Sequence, residues 1–346
     1  MNKNEQIIKP NEITKSTKAS MKTRIITAVV GVAVIIPFIF LGDWFYAALV
    51  VVLSVLSTIE IIRCLKVKRS VPYLIGLNVI SIFISLFMVF WPFLIELFTT
   101  ITSNTWFHLY SYFTQLHISV LLVFIGFALL FLMVVFYSSF TVRDATFLFT
   151  MLVVISFGLQ SLLFLRYYPS FKHWESISTT PSFFNLFDSF EASLLIIYVL
   201  IATFMTDTGA YFFGLFFGKR KINERISPKK TYAGFVGGLV TSFIASAGFG
   251  IGLAALGHPL LEGSLDLNHW YFIVTLSALI PFFSTLGDFV LSSVKRFYEI
   301  KDFGNILPGH GGILDRIDSL LFSLMVSAIF VWIISNLGNY DKIFLI

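Results

Sequence analysis

SLLFSLMVSAIFVWIISNL, residues 319–337, runs for 19 residues without a charged side chain. As a helix rising 1.5 Å per residue it would be about 28 Å long, close to the roughly 30 Å hydrocarbon core of a bilayer. Eight further predominantly apolar stretches precede it, at 25–41, 44–62, 72–98, 118–137, 147–168, 192–217, 235–256 and 270–291, each with at most one charged residue. Only a span closed on its own backbone hydrogen bonds survives in lipid, so the pattern predicts an all-α, polytopic integral membrane protein of about nine helices. Composition agrees: 57% of the 346 residues are hydrophobic and 12% charged, with a mean hydropathy of +0.88, against roughly 25% charged in soluble domains. A soluble enzyme, a disordered chain and a disulfide scaffold are excluded. The single cysteine, Cys64, lies beside Arg63 and Lys66 and is expected to be a reduced thiol at a membrane edge, without a role.

The basic residues orient the chain. With nine spans, 21 of the 24 Lys and Arg residues fall in the N-terminal tail and alternate loops, and only Arg166, Lys172 and Lys342 fall on the other side. That bias predicts a cytoplasmic N-terminus. It also accounts for the net charge of +5 through orientation and anionic membrane lipid, so no nucleic-acid partner is implied. Residues 1–20 read as a disordered basic cytoplasmic tail, 21–190 as N-terminal membrane helices, and 191–346 as a C-terminal catalytic membrane domain with cytoplasmic loops at 218–233 and 292–318. The segment at 25–41 is read as a retained span, because no small-residue cleavage site follows it. The aromatic segment at 99–117 reads as an interfacial anchor on the outer face.

Charge inside a span is costly, so intramembrane acids are functional candidates. Glu60 and Glu96, near span ends where water is within reach, read as structural. Asp207 is different: it begins D-T-G-A-Y-F-F-G, where small Gly209 and Ala210 allow another backbone to come close. S-P-K-K-T-Y-A-G follows from Ser227, with Pro228 breaking any helix, Lys229 and Lys230 presented for phosphate, and Thr231 placed to cap the next span. The cations between Lys219 and Arg225 also serve topology.

Asp288, Ser292 and Lys295 stand at i, i+4 and i+7, on one face if the eighth span continues helically. Beyond them, Gly304 and the Pro308–Gly312 run form a tight loop whose backbone N–H groups are expected to open to a ligand. Asp315 and Asp318 then enter the first turn of the last helix. Their position suits the helix dipole, but together with Asp288, Asp302 and the nearby cations they form the oxygen-rich, cation-rich edge that a nucleoside triphosphate with Mg²⁺ requires. His310, between glycines, is either a phosphate donor or a plain loop residue. Zinc-ligand spacing, a Walker A sequence and Gly-x-Ser-x-Gly are absent.

S-x-V-K-R from Ser292, K-D-x-G from Lys301 and L-P-x-H-G-G-I-x-D-R-I-D from Leu307 resemble the signature of the phosphatidate cytidylyltransferase (CDP-diacylglycerol synthase) family. D-x-x-A-Y at Asp207 and S-P-K-K-T at Ser227 match the same family in order and spacing, and M-K-T-R-I-I-T at Met21 looks like a family start. The resemblance implies transfer of CMP from CTP to phosphatidate, giving CDP-diacylglycerol and pyrophosphate. It further implies a multi-pass cell-membrane enzyme, a homodimer, with its active site facing the cytoplasm, Mg²⁺ and a possible second cation. Asp288, Asp315 and Asp318 would hold the metal, with Asp207 and Asp302 beside it, and Lys229, Lys230, Lys295, Arg296, Lys301 and Arg316 would bind phosphates. Ser227, Thr231, Ser292, His310, Gly311 and Gly312 complete the expected site. Two acidic positions of the family pattern are filled here by Ala233 and Leu291. A CTP-dependent lipid kinase is the alternative enzyme. A transporter would need repeated halves with matching broken helices, and the sequence shows no such symmetry.

Overall fold

The computed structural model describes residues 30–31, 33–41, 43–65, 71–102, 123–176, 186–309 and 311–340. The expected tail at 1–20, the aromatic residues of the 99–117 segment from Trp106 onward, and His310 lie outside the described residues. Glu96 lies in a described helix, but its side chain is outside what is described.

The elements are α1 (Asp43–Cys64), α2 (Val71–Thr102), α3 (Val123–Phe136), α4 (Val142–Ser176), α5 (Leu186–Phe217), β1 (Lys221–Asn223), β2 (Ser227–Thr231), α6 (Tyr232–Ala255), α7 (Trp270–Phe297) and α8 (Leu314–Tyr340). Seven of these helices, all except α3, are long and apolar enough to cross a membrane. Each coincides with one of the expected spans. The first and fourth expected spans are represented by helical residues at 30–31 and 33–41 and by the shorter α3. Helix exteriors carry exposed Phe204, Val240, Ile244, Ile329 and Trp332, which suits a lipid-facing surface.

Helices α1, α2 and α4 pack on one another, α5 to α8 form a second group, and α4 joins the two by lying against both α5 and α8. Inside, polar side chains find partners rather than water. Ser54, Ser85 and Ser156 form a buried hydroxyl chain at 2.8 and 3.2 Å between α1, α2 and α4, Tyr46 Oη donates to Leu162 O, and Tyr198 Oη meets Ser277 Oγ at 2.7 Å. Arg166, near the end of the expected span at 147–168 and counted with the outer side, is buried within α4, which continues to Ser176. Its Nε donates to the Ile39 carbonyl at 3.2 Å, and Ser193 Oγ donates to the same oxygen. Two buried side chains thus converge on one carbonyl of the helical residues 33–41, and each finds its acceptor inside the protein.

A second departure is at 218–233, expected to be loop. Here β1 and β2 form an antiparallel hairpin, with Lys221 opposite Thr231 and Asn223 opposite Ser227. Its turn is set by Asn223, whose side-chain oxygen accepts the N–H groups of Arg225 and Ile226.

The most extensively packed helix pair is α5 with α6. A Cβ on Gly238 would stand 2.7 Å from the Thr206 carbonyl, so only hydrogen fits between the two backbones. Gly238→Val is therefore expected to lower stability in detergent by about 1 to 3 kcal/mol, the usual cost of overpacking, as read by thermal unfolding of the purified protein.

Candidate active site

Extension of α7 to Phe297 carries it past its apolar stretch and places Asp288, Ser292 and Lys295 on one face. Ser292 Oγ donates to Asp288 Oδ1 at 3.1 Å. The other Asp288 oxygen, Oδ2, lies 2.5 Å from Lys230 Nζ, which also stands over the Phe289 ring. Lys295 Nζ donates to Asp315 Oδ1 at 3.0 Å and to Asp318 Oδ2 at 3.4 Å, both on the first turns of α8. The three side chains are nearly sealed, at 11%, 2% and 12% exposed for Lys295, Asp315 and Asp318. Asp207 of α5 lies within electrostatic reach of Asp288, Asp318 and Lys230. The result is a cluster of four carboxylates and two ammonium groups, drawn from α5, β2, α7 and α8.

The hairpin explains why the two adjacent lysines part company. Successive strand residues face opposite ways, so Lys230 turns to Asp288 while Lys229 is exposed on the other side. Thr231 ends the strand and caps α6 as expected, with Gly234 N donating to its Oγ1 at 3.1 Å. Arg296 does not join the carboxylates. Its Nε donates to Ile226 O at the hairpin turn, and with Arg225, Phe147, Phe297 and Tyr298 it lines a separate cavity of about 530 Å³. Ser227 is half-buried in β2, and Lys301, Asp302 and Arg316 are exposed.

At the end of the glycine loop, the amides that lead into α8 turn to the protein's own acids. Gly312 N donates to Asp315 Oδ2 at 3.0 Å and Phe303 N to the same oxygen at 2.8 Å. The next two amides, of Ile313 and Leu314, donate to the two carboxylate oxygens of Glu60, each at 2.9 Å. These N–H groups are committed to the protein's own acids. Gly311, at φ +84°, makes the turn, and its carbonyl accepts Leu307 N. Glu60, read as a solvated residue near a span end, is thus fully buried and touches the loop. Its position within an apolar span was the available signal; its partner, 253 residues away, was not visible.

The same contacts bear on a metal ion. Asp288, Asp315 and Asp318 each have both oxygens engaged by protein donors. Asp315 is the most sealed at 2% exposed, whereas Asp288 and Asp318, at 28% and 12% with Asp207 beside them, offer more accessible carboxylate oxygen of the kind Mg²⁺ takes. Among the described residues, no group of three or more His, Cys, Asp or Glu side chains is arranged to hold a metal ion by itself. Mg²⁺ commonly uses one or two carboxylates with water and substrate phosphate, and four carboxylates against two ammonium groups leave negative charge for a cation to offset.

The family model described as the cytidylyltransferase family matches residues 22–334. The chain belongs to that family. It is similar to the phosphatidate cytidylyltransferase of Bacillus subtilis (strain 168), at 31% identity over 306 residues, 87% of this chain and 94% of the relative. Shorter matches reach 43% identity with the phosphatidate cytidylyltransferase of Staphylococcus haemolyticus (strain JCSC1435) and 42% with that of Staphylococcus aureus (strain COL), each over 129 residues, 37% of this chain and 45% of the relative. A nucleotidyltransferase built on membrane helices accounts for a charged cluster otherwise out of place at the end of apolar spans.

The two departures from the family's acidic pattern have different settings. Leu291 is fully buried in the apolar core, while Ala233 is half-buried in the first turn of α6, where the helix dipole favours an acid. Leu291→Glu is expected to cost at least about 3 kcal/mol of stability, and Ala233→Glu less than about 0.5 kcal/mol, both measured by denaturation in detergent. Lys295→Met should remove the cation shared by two buried carboxylates and destabilise by about 3 to 5 kcal/mol. Adding Asp318→Asn should recover part of that loss in the same assay.

Proposed function

We propose that the protein is a phosphatidate cytidylyltransferase of the cell membrane, working at its cytoplasmic face. The observation that carries the reading is the cluster of Asp207, Asp288, Asp315 and Asp318 about Lys230 and Lys295, built from the segments that match the family signature. Family membership and the named relatives support the same substrates, CTP and phosphatidate. The basic loops, with 21 of 24 Lys and Arg residues on one side of the expected topology, support a cytoplasmic site. A lipid phosphate and a water-soluble nucleotide meet only at such an edge.

The chemistry follows from charge. A phosphate oxygen of phosphatidate attacks the α-phosphorus of CTP, the bond to the bridging oxygen breaks, and pyrophosphate leaves. The nucleophile is already anionic, so no side chain need remove a proton. The barrier is repulsion between two polyanions, and it falls when they are held in line and their charge is neutralised. Lys230 of the hairpin, anchored between Asp288 and the Phe289 ring, would orient phosphate, with exposed Lys229, Lys301 and Arg316 at the approach. Asp288 and Asp318 would hold Mg²⁺, which supplies a counter-charge for the triphosphate. Asp315, tied to two amides and Lys295, would keep the turn in shape.

The test is to supply purified protein with CTP labelled at the α-phosphorus, phosphatidate and Mg²⁺. Label is expected in the lipid phase with an equal amount of pyrophosphate, EDTA should abolish transfer, and Asp288→Asn should lower it on the order of 100-fold in a folded protein. Lipid labelled only from the γ-position of CTP would instead establish a kinase.

A further inference from the structure

Glu60 sits in the last turn of α1, fully buried, and reaches across the fold to the start of α8. Its two oxygens accept the consecutive N–H groups of Ile313 and Leu314, each at 2.9 Å. The contact is shaped from the other side as well: a Cβ on Gly304 or on Gly312 would fall 2.5 Å from a Glu60 carboxylate oxygen. The carboxylate therefore lies in a slot closed by two glycines, with no room for a substrate.

We propose, resting on the cytidylyltransferase reading above, that Glu60 is a positioning residue for the reaction. A carboxylate that accepts two successive amides through separate oxygens fixes both the place and the rotation of the turn that bears them. Asp315 follows Leu314 directly, and Asp318 follows one turn later on the same helix. Glu60 thus sets the two acids that meet Lys295, and through Lys295 their placement against Asp288 on α7. Asp315 completes the grip from within by taking the Gly312 and Phe303 amides. The N-terminal helices then have a part in the chemistry: α1 holds the reactive turn of α8 in register. Glu60 itself touches neither reactant, and no proton passes through it.

Full-length Glu60→Gln, Glu60→Asp and Gly304→Ala proteins in detergent would be compared with wild type in kcat, KM for CTP, and hydrogen exchange of the 311–318 amides. Glutamine keeps the shape but turns an NH₂ group towards one amide. It should lower kcat on the order of 100-fold, as a displaced reactive geometry does, leave KM for CTP within about threefold, and speed exchange over 311–318. Aspartate, which keeps the charge on a shorter arm, should recover part of kcat. Gly304→Ala, which crowds the same oxygen from the loop, should reproduce the glutamine pattern and decides the matter if Glu60→Gln does not fold. A kcat within twofold of wild type despite faster exchange would overturn the proposal, as would a lost kcat with unchanged exchange. Failure of the wild-type protein to form a CDP-lipid would refute the underlying functional reading instead, a result seen before any variant is measured.

Discussion

An ammonium group held between two carboxylates at the end of an apolar span is the constraint on which the rest of the site depends. Lys295 meets Asp315 and Asp318 in a setting where all three are nearly sealed from water. Such a group of charges has little solvent to fall back on, and the loss of one partner leaves another stranded. Each neighbouring element supplies something to this grouping. α7 runs beyond its apolar stretch to bring Lys295 to the edge, α8 begins with its acids in the first turns, and the loop between them spends its amides on Asp315.

The surrounding architecture follows from lipid. Where the medium provides no hydrogen bonds, a polar atom is tolerated only with a protein partner, and the fold repeats that solution at several depths. Serine chains join α1, α2 and α4, Arg166 and Ser193 share one carbonyl, and small residues let α5 and α6 touch backbone to backbone. This last contact matters beyond packing. Asp207 is carried by α5 and the hairpin leads directly into α6, so the close pair also fixes the distance between Asp207 and Lys230.

The parts legible in the sequence were those governed by local periodicity. Apolar runs placed the spans, a seven-residue spacing put Asp288 and Lys295 on one face, and Thr231 before a small-residue helix announced its cap. What escaped depends on pairings between distant segments. Nothing near Glu60 indicates that its acceptors would be used by Ile313 and Leu314, and an acid close to a span end reads equally well as a solvated one. The Gly312 amide shows the same limit: glycine frees the backbone to approach something, but sequence does not say whether that is a ligand or, as for Gly312, a carboxylate of the same chain. The hairpin was hidden by its brevity, since β1 has only 3 residues and β2 carries a proline.

These committed amides also bear on how the site handles phosphate. Helix N-termini are common anion sites because their first N–H groups lack partners. At the start of α8 the amides of Gly312, Ile313 and Leu314 are taken by Asp315 and Glu60, and negative charge lies beside them where a phosphate would otherwise settle. A triphosphate approaching that turn would meet carboxylate, so on the proposed reading its attraction would come from cations: Lys230 on the hairpin, the exposed basic side chains, and the divalent ion proposed for the surplus of acids. The arrangement separates two tasks that one helix end could have combined. The turn is held from within by protein carboxylates, and on the proposed reading the charge that lowers the barrier would arrive with the reactants and a metal ion, which would tie full neutralisation to the loaded state of the site.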